Sequence, residues 1–381
     1  MPNASRKLRV GFPYVGDRFG GSNMSSLVMA GGLQQRGIEP VIMTHGPGRA
    51  AEEAAARGFA VHRLPPLSSA PGYSRRDSFR MEHLKAAPTC RRAIKELDLD
   101  LVHTNDLTML RTWALPTKLA GARLIAHWRT SSKSSLSVSG ALMIAERIVS
   151  VSTYSKQILP AWAQRKTVVE FNALEVFWAE AQRAEARLTV RQRLGIPPDA
   201  ILIGVFGNLT RRKRAHALAD VLDGLGPVVS GRAVFGIVCG GVVEPRDDLL
   251  EAKRVQLQLE DRLLMPGFVR PVEEWMGACD VILAPAEREP LARNVLEAMA
   301  VGVPVIVSSD GGLREFVVSG ENGFLFDPND TPAWIKGSRR VLTEPGLASS
   351  FVANGQAATA ELTVAKHAER IERIYRTAMS R

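Results

Sequence analysis

The sequence contains little cysteine, few aromatic residues and no long apolar run, and each shortage excludes a class of protein. Its three cysteines are odd in number and are not spaced as metal ligands, so we expect neither a disulfide framework nor a metal site. No apolar run approaches the ~20 residues that span a bilayer. Aromatic residues form 6% of the chain without the stacking pattern of nucleic-acid binding, so we expect no nucleic-acid partner.

The start of the chain lacks the pattern of a secretory signal. A basic cluster at Arg6, Lys7 and Arg9 is followed by polar residues and glycine rather than by an apolar segment. Few cysteines are typical of a reducing compartment, and together these features predict a cytoplasmic protein. The 381 residues are long for one core, which favours two domains.

Positive charge is concentrated in the first half of the chain. Residues 1–172 contain 24 Lys and Arg against 12 Asp and Glu, whereas the remaining residues contain 25 against 27. Such asymmetry indicates an anionic partner for the first half. Much of the excess lies in or just before a predicted helix near 80–97, which Pro88 should kink. Its basic residues are Arg75, Arg76, Arg80, Lys85, Arg91, Arg92 and Lys95.

Two interpretations of this basic helix stay open. Apolar residues such as Met81, Leu84 and Ile94 make it amphipathic, and peripheral membrane enzymes use basic amphipathic helices to bind anionic lipid. Each basic residue near an anionic bilayer contributes about 1 kcal/mol. The first interpretation is therefore a protein that binds the inner face of the cell membrane. The second is an ordinary solvated surface with excess arginine.

The order of apolar runs and helical patterns predicts an α/β fold with parallel sheets. An apolar run at 8–14 leads through a glycine-rich turn into a helical pattern at 23–36 and a second run at 41–44. Such a β-α-β unit brings a phosphate or sugar towards Gly20 and Gly21. Further strands are predicted at 59–64, 100–104, 123–127, 147–151 and 167–171. Further helices are predicted near 80–97, 107–119, 139–146 and 153–164.

Residues 280–330 form the most informative stretch of the second half. An apolar strand at 281–283 is followed by a turn containing Glu289, and Pro290 should open a helix at its favoured first position. Glu297 lies on the polar side of this helix, so two carboxylates lie near the β-α turn where open α/β sheets bind ligands. The spacing alone leaves a plain alternative, in which Glu297 forms a surface ion pair with Arg293.

The same stretch resembles the donor-site signature of a known family. The match begins with Glu289, seven intervening residues and Glu297-Ala298-Met299-Ala300, and continues with Gly302-Val303-Pro304-Val305-Ile306, Gly311-Gly312, Glu315 and Asn322-Gly323. This pattern is similar to that of the retaining GT-B glycosyltransferases of the large group 1 family, which includes sucrose synthases and bacterial cell-envelope transferases. The resemblance covers nearly all of the second half and the first half only loosely.

The resemblance implies roles for the residues of the donor site. Glu289 would hold hydroxyls of the donor sugar, and Glu297 would hold the ribose hydroxyls of the nucleotide. Backbone amides between them would face the diphosphate. The residues of this connection that we assign to donor binding are Pro290, Leu291, Ala292 and Arg293.

Other donor-site positions match the family less completely. Lys213 matches the lysine that the family places six residues after the glycine ending an earlier strand, whereas the family's arginine is replaced here by Asn208. Arg212 would then supply the missing charge beside the diphosphate. The backbone of Phe268 or Val269 would contact the base.

The first half contributes fewer candidates. His127 ends a predicted strand, and a lone histidine at a strand end is usually structural, but family members commonly place a histidine here against the donor sugar. The resemblance therefore places His127 in the site with Arg129 as a neighbour, and leaves His103 as the weaker candidate. The loop of Gly20 and Gly21 would lie near the diphosphate and the acceptor.

The implied fold is GT-B, with two Rossmann-like, doubly wound domains facing across a cleft. We place an acceptor-side domain at 1–172 and a donor domain at 173–363. A terminal helix at 364–381 should cross back to the first domain.

The implied reaction is transfer of a hexose, with retention of configuration, from a UDP- or GDP-type nucleotide sugar to an acceptor. We expect no cofactor and no metal ion, and we assign no general base. The acceptor would be a lipid-linked or cell-envelope glycan, as in polysaccharide biosynthesis. Two alternatives remain: a nucleotide-sugar epimerase of the same architecture, and a sugar-nucleotide binding protein without catalysis.

Overall fold

The chain divides into two compact units, each built around a parallel sheet. The computed structural model describes residues 6–16, 19–67, 78–242 and 248–380, with backbone alone at 78–82 and 84. One unit comprises Met1–Ala173 and Leu362–Arg381, and the other comprises Leu174–Glu361. The boundaries predicted from the sequence were 172/173 and 363/364.

The first unit contains a seven-stranded sheet in the order β3-β2-β1-β4-β5-β6-β7, with every pairing parallel. Apolar clusters cover both faces of this sheet. That arrangement explains why its strands are continuous apolar runs rather than alternating ones. The strands are β1 (Arg9–Val15), β2 (Glu39–His45), β3 (Val61–Leu64), β4 (Leu101–Thr104), β5 (Arg123–Trp128), β6 (Arg147–Ser150) and β7 (Thr167–Val169).

The second unit contains a sheet in the order β11-β10-β8-β12-β13-β14, again parallel and again covered on both faces. A short strand, β9, pairs antiparallel with β10. The strands are β8 (Ile201–Phe206), β9 (Val228–Val229), β10 (Arg232–Cys239), β11 (Leu263–Gly267), β12 (Val281–Ala284), β13 (Val305–Ser308) and β14 (Phe324–Phe326).

Helices connect the strands, and the last helix belongs to the first unit. Helices α1 (Gly21–Gln35), α2 (Arg49–Ala56), α3 (Ser78–Glu96), α4 (Leu107–Ala120), α5 (Leu136–Ile144), α6 (Thr153–Ile158) and α7 (Ala161–Gln164) lie in the first unit. The second contains α8 (Glu180–Leu194), α9 (Ala217–Leu225), α10 (Asp248–Gln256), α11 (Val272–Gly277), α12 (Arg293–Ala300), α13 (Thr331–Thr343) and α14 (Leu347–Thr359). The final helix is α15 (Val364–Met379).

Helix α15 packs on α1 of the first unit, and ion pairs add to its apolar contacts. The buried carboxylate of Glu170, just after β7, accepts from Arg370 at 2.8 Å and contacts His367 Nδ1 at 2.9 Å. Arg36, at the end of α1, donates to Glu372 at 2.5 Å. These contacts fix the register of the terminal helix against the sheet of its own unit.

A proline and a left-handed residue change two of the predicted helices. The helix predicted at 153–164 is two short helices, α6 and α7, because Pro160 lacks the N–H that would continue the first. The helix predicted to open at Pro290 begins instead at Arg293, after Ala292 takes a left-handed conformation with φ of 53°. The intervening residues form a loop, which places Glu289 outside the helix.

The basic helix near 80–97 is α3, which continues through Pro88. Arg75 and Arg76 lie outside the described residues, as do the side chains of Arg80, Met81 and Leu84. The exposed basic side chains of the described part are Lys85, Arg91, Arg92 and Lys95. In the described part of the chain, no helix is both long and apolar enough to cross a membrane.

Candidate active site

The candidate site of the second unit lies where β8 and β12 end. These strands are neighbours in the sheet, so the loops that follow them emerge at the same edge. The loop after β8 leads into a single 3-10 turn, Arg211–Lys213, and the loop after β12 carries Glu289. The two loops are joined by the Glu287 amide, which donates to the Arg212 carbonyl at 3.0 Å.

Glu289 forms ion pairs with two basic side chains of the neighbouring loop, Arg212 and Lys213. Arg212 Nη1 donates to Glu289 Oε2 at 2.6 Å, and Lys213 Nζ lies 2.9 Å from the same oxygen. Glu289 is only 7% exposed, whereas the two cations are partly open to solvent. Three residues that the sequence analysis assigned to the donor site are therefore brought together at one edge of one sheet.

The charge of Glu289 is set by these two partners. Burial by itself would raise the pKa of this carboxyl, but the charges and hydrogen bonds of Lys213 and Arg212 outweigh it and hold the pKa at about 2. The group is therefore an anion at any physiological pH. Because two cations meet one carboxylate, the cluster carries a net positive charge.

The backbone of Glu289 is held by the turn after β13. The Gly312 amide donates to the Glu289 carbonyl at 2.8 Å, and Gly311 forms an isolated parallel bridge with Glu289. A Cβ on Gly311 would lie 2.4 Å from the Glu289 carbonyl oxygen, and φ at Gly311 is +87°. Glycine is required there on both counts, which explains the Asp310-Gly311-Gly312 turn of the sequence.

The other basic residues of the run 211–214 differ in their surroundings. Arg214 donates to Glu287 Oε1 at 2.6 Å and to the Pro328 carbonyl at 2.9 Å, so it anchors the loop. Arg211 is exposed. Asn208, which stands where the family has arginine, is also exposed. Four consecutive basic residues thus divide into two that contact Glu289, one anchor and one solvent-facing side chain.

Glu297 lies in a separate recess on α12. Arg293 Nε donates to Glu297 Oε1 at 2.6 Å, which is the i,i+4 pair of the plain alternative. The same recess is lined by Glu175 and Glu273. Burial raises the pKa of Glu297, and these two carboxylates raise it further, while Arg293 opposes them. Glu297 therefore takes up a proton more readily than an ordinary glutamate.

The remaining donor-site candidates of this unit lie around the same edge. Leu291 and Ala292 are buried, and Pro290 is half-buried beside them. Phe268 is 56% exposed, with the guanidinium of Arg270 5.3 Å from its ring centroid, and Val269 packs against the core. Their predicted contacts with a nucleotide stay predictions.

The glycine pair of the first unit begins α1. Gly20 is the N-cap, with an extended backbone, and its amide donates to Asn23 Oδ1 at 3.2 Å. A Cβ added to Gly20 or Gly21 would meet no described atom within 4 Å. Packing within the described part of this unit therefore does not require glycine at either position.

His127 lies one residue before the end of β5 in the first unit and belongs to a buried hydrogen-bonded network. Its Nδ1 lies 3.1 Å from Arg129 Nη2 and 3.1 Å from His103 Nε2. Arg129 also donates to Asn172 Oδ1, and His103 Nδ1 lies 2.6 Å from the hydroxyl of Tyr375. Burial lowers the pKa of both histidines well below the ordinary range, and the charge of Arg129 lowers it further.

Two features escaped the sequence analysis. Asp280, at the start of β12, forms salt bridges of 2.9–3.3 Å with Arg187, Arg191 and Arg232. This buried cluster connects α8 to the sheet. The arginines of α8 repeat every four residues, which was a usable signal. The contact of Tyr375 with His103 joins positions 272 residues apart and had no local signal.

The described residues contain no cluster of metal-ligating side chains. In the ranges that the structure describes, no group of three or more His, Cys, Asp or Glu side chains is placed to hold a metal ion. The expectation of a metal-free reaction stays a prediction.

Two family models match this chain, one in each unit. The model of Glycosyltransferase Family 4 matches residues 19–170, and the model of glycosyl transferases group 1 matches residues 186–358. The second unit belongs to the glycosyl transferases group 1. The family resemblance noted in the second half of the sequence is therefore confirmed, and the first unit matches a second glycosyltransferase model.

Curated relatives match parts of this chain. D-inositol 3-phosphate glycosyltransferase of Xylanimonas cellulosilytica is 33% identical over 178 residues, which is 46% of this chain and 42% of the relative. The lipopolysaccharide core biosynthesis mannosyltransferase LpsB of Rhizobium meliloti is 28% identical over 196 residues, 50% of this chain and 55% of the relative. The chain spans about half the length of the curated relatives it matches.

Solved structures match almost all of this chain. HepE of Anabaena, in complex with UDP and glucose, aligns with a TM-score of 0.80 at 21% identity, covering 97% of this chain and 99% of that one. Sucrose-phosphate synthase of Thermosynechococcus elongatus aligns with a TM-score of 0.78 at 19% identity, covering 98% and 100%. These likenesses confirm the predicted GT-B fold, with two Rossmann-like domains.

Proposed function

We propose that this protein transfers a sugar from a nucleotide diphosphate sugar to an acceptor, with retention of configuration. The observation that carries the proposal is the cluster of Glu289, Arg212 and Lys213 at the edge formed by β8 and β12. In the resembled family a carboxylate holds the donor sugar, and fixed cations stabilise a departing diphosphate. This cluster supplies both within one hydrogen-bonded assembly.

The chemistry expected of the cluster follows from its net positive charge. A diphosphate that leaves the sugar gains negative charge, and preorganised cations stabilise that charge without having to reorganise. Lys213 and Arg212 are preorganised because Glu289 holds both. The α12 N-terminus adds amides without intrahelical partners, as every helix start does. Glu289, an anion at neutral pH, would accept hydrogen bonds from sugar hydroxyls.

The donor would be of the UDP or GDP type. The HepE structure that resembles this chain is a complex with UDP and glucose, which supports a UDP sugar as the first donor to test. Glu297 would accept hydrogen bonds from the ribose, and Arg293 orients its carboxylate for that role. Gly20 and Gly21 would admit the ligand closely, which accounts for two glycines that local packing does not require.

Incubation with nucleotide sugars tests the proposal. A panel of UDP, GDP and ADP sugars is screened by thermal shift, and donors that stabilise the protein are incubated with and without candidate acceptors. Transfer to an acceptor, with the anomeric configuration of the first product read by NMR, is the expected result. Change of the donor's own stereochemistry without acceptor would indicate an epimerase, and stabilisation without turnover would indicate a binding protein.

We propose that the acceptor is anionic and lipid-linked, or a cell-envelope glycan, reached from the inner face of the membrane. Helix α3 packs on α4, and α4 packs on α5, so the three form one layer. This layer combines exposed cations with exposed apolar side chains, as membrane-surface helices do. The cations are Lys85, Arg91, Arg92, Lys95 and Lys118, and the apolar side chains are Leu115, Leu119, Leu136 and Met143.

Co-sedimentation with vesicles of phosphatidylcholine and phosphatidylglycerol tests this surface. Binding should increase with the anionic fraction and weaken with salt. Arg91→Gln with Lys95→Gln should lower partitioning by roughly 30-fold, since each cation contributes about 1 kcal/mol. Lys336→Gln with Arg193→Gln removes two exposed cations of the second unit as the matched control and should change little. No binding to anionic vesicles at low salt would leave a soluble acceptor.

A further inference from the structure

Arg288, in the loop that carries Glu289, has a backbone conformation that is unfavourable for arginine. Its φ is 48°, in the left-handed region that disfavours residues with a Cβ. Its amide donates to Asp310 Oδ2 at 2.9 Å, so the turn after β13 holds this conformation. A glycine would adopt the same backbone without strain.

The residues on either side of Arg288 fix the backbone of the loop but do not explain the arginine. Glu287 pairs with Arg214 at 2.6 Å, and Glu289 pairs with two cations of the same basic run. Both carboxylates therefore anchor the loop to its neighbour. Neither contact involves the side chain of residue 288.

Five other non-glycine residues of the described ranges have positive φ, and each has a local reason. They are Asp98, Arg214, Ser230, Gln258 and Ala292. Two of them follow the ends of α3 and α10, and a third lies in the two-residue turn between β9 and β10, where left-handed residues are common. Arg214 is retained by its ion pair, and Ala292 is buried. The loop of Arg288 neither ends a helix nor closes a hairpin.

The side chain of Arg288 also has no structural partner. It is exposed, and it forms neither an ion pair nor a hydrogen bond with any residue that the structure describes. Packing therefore does not account for an arginine at a strained position beside the candidate site. Strained residues of this kind are concentrated at functional sites, where the side chain is needed.

The chemistry of a guanidinium indicates the kind of group that Arg288 would bind. Arginine recognises a carboxylate or a phosphate through two parallel hydrogen bonds. In the proposed function, the diphosphate of the donor already has Lys213 and Arg212. Arg288 is therefore available to a further anionic group next to Glu289.

We propose that Arg288 is a specificity-determining residue that binds a carboxylate or phosphate group on a sugar held beside Glu289. The substrate would then include an acidic sugar, such as a hexuronic acid or a sugar phosphate. This sugar is either the one transferred or the one that accepts it. Its place in a transfer reaction rests on the proposed function, whereas the preference for an anionic group does not.

Isothermal titration of the full-length protein tests the preference in two arms. The donor arm compares UDP-glucuronic acid with UDP-glucose, which differ by a carboxylate in place of a hydroxymethyl group. The acceptor arm compares glucuronic acid and glucose 6-phosphate with glucose, each added to protein saturated with UDP. In one arm the anionic probe should bind about 10-fold more tightly, as expected for hydrogen bonds between charged groups. No preference in either arm would overturn the proposal.

Substitution of Arg288 shows whether this residue carries the preference. Arg288→Gln should reduce the ratio of the two dissociation constants to about 1 and leave binding of UDP alone unchanged. Arg211→Gln is the matched control, since Arg211 is exposed on the loop after β8 and has no ion pair among the described residues. It should keep the wild-type ratio. A ratio that survives in Arg288→Gln, or falls equally in both variants, would overturn the proposal.

A glycine at position 288 separates recognition from folding. Arg288→Gly removes the guanidinium and relieves the strain, so it should lose the preference while its urea midpoint stays at or above that of wild type. A lower midpoint would show that the arginine serves the fold and would overturn the proposal.

The binding and transfer experiments fail independently. A preference for acidic probes that depends on Arg288, without sugar transfer to any acceptor, would contradict the proposed function and keep this inference. Sugar transfer that does not distinguish acidic from neutral sugars would contradict this inference and keep the function.

Discussion

Glu289 and Glu297 lie eight positions apart in one loop and helix of the second unit, and their carboxyl groups behave oppositely. Both are largely buried, and burial raises the pKa of either one. The pKa of Glu289 nevertheless falls to about 2, whereas that of Glu297 stays above its ordinary value. The difference comes from the neighbours, which are two cations for Glu289, and one cation with two carboxylates for Glu297.

This comparison shows that a motif of two glutamates does not specify two equivalent anions. The cations of Glu289 come from a different β-α loop, and their approach depends on β8 and β12 being neighbours in the sheet. Arg293, the ion-pair partner of Glu297, lies on the same helix, so the pair would form in any helix with this sequence. Tertiary structure thus fixes the charge of Glu289, while Glu297 retains a charge that depends on pH.

The largest effect is expected from removing the charge of Glu289. Glu289→Gln should lower kcat by roughly 10²–10³, because the sugar loses a charged acceptor and the two cations lose the group that orients them. It should also lower the free energy of unfolding by about 1.5–3 kcal/mol, the value of hydrogen bonds to a charged group, since two partly exposed cations lose their buried partner. Steady-state kinetics and urea denaturation measure the two effects.

The control for Glu289 is Glu287→Gln. Glu287 lies two residues earlier and pairs with Arg214, so its loss should affect stability with much less effect on kcat. Equal kinetic losses in both variants would mean that Glu289 acts only by holding its loop.

The second-largest effect is expected from Lys213, one of the two cations that contact Glu289. Lys213→Ala should lower kcat and raise KM, with a combined loss in kcat/KM of about 10², because a fixed charge beside the diphosphate acts in binding and in the transition state. Arg211→Ala is the matched control, since Arg211 is exposed on the same basic run. If the two variants lose equal activity, the general positive field matters and the position of Lys213 does not.

The sequence predicted most elements of the fold and the members of the site, but few of their contacts. Apolar runs such as 8–14 and 281–283 gave the buried strands because both faces of each sheet are covered. The short strand β14 (Phe324–Phe326) was missed, since three residues carry too little pattern. The sequence predicted that α12 begins at Pro290, three residues before its observed start, because proline favours the first position of a helix. The left-handed backbone of Ala292, which delays the start to Arg293, has no signal in the sequence.

The sequence also could not predict that Arg212 and Lys213 both contact Glu289. Lys213 was assigned from a motif and Arg212 as a substitute for the charge absent at Asn208, and each was assigned to the diphosphate separately. Their common contact with Glu289 depends on sheet order, which local pattern does not encode. The ion pairs of the buried Glu289 carboxylate also predict a loss of stability in Glu289→Gln, which the sequence motif alone does not indicate.

A smaller effect is expected at Glu297. Glu297→Gln should weaken nucleotide binding by about 1.5–3 kcal/mol, the value of a hydrogen bond to a charged group. Stability at pH 7 should stay constant or increase, because a carboxylate in an unfavourable environment is removed. Isothermal titration with UDP and urea denaturation measure these quantities. Glu273→Gln is the control, since it removes a neighbouring charge and leaves the proposed ribose contact intact. A stability loss as large as that of Glu289→Gln would contradict the comparison.

The smallest effect is the pH dependence of stability, and its sign separates the two carboxyl groups. The folded pKa of Glu289 lies below its unfolded value near 4.5, so the stability it contributes is present above pH 4.5 and is lost as the pH falls towards 2. The folded pKa of Glu297 lies above the same reference, so its contribution is present below pH 4.5 and is lost as the pH rises through the folded value.

Unfolding free energies of wild type, Glu289→Gln and Glu297→Gln should be measured from pH 3 to pH 8. The advantage of wild type over Glu289→Gln should increase with pH up to about 4.5 and then stay constant. The advantage of wild type over Glu297→Gln should decrease with pH from about 4.5 upwards. Slopes of the same sign would show that the two recesses differ less in charge than their neighbours imply.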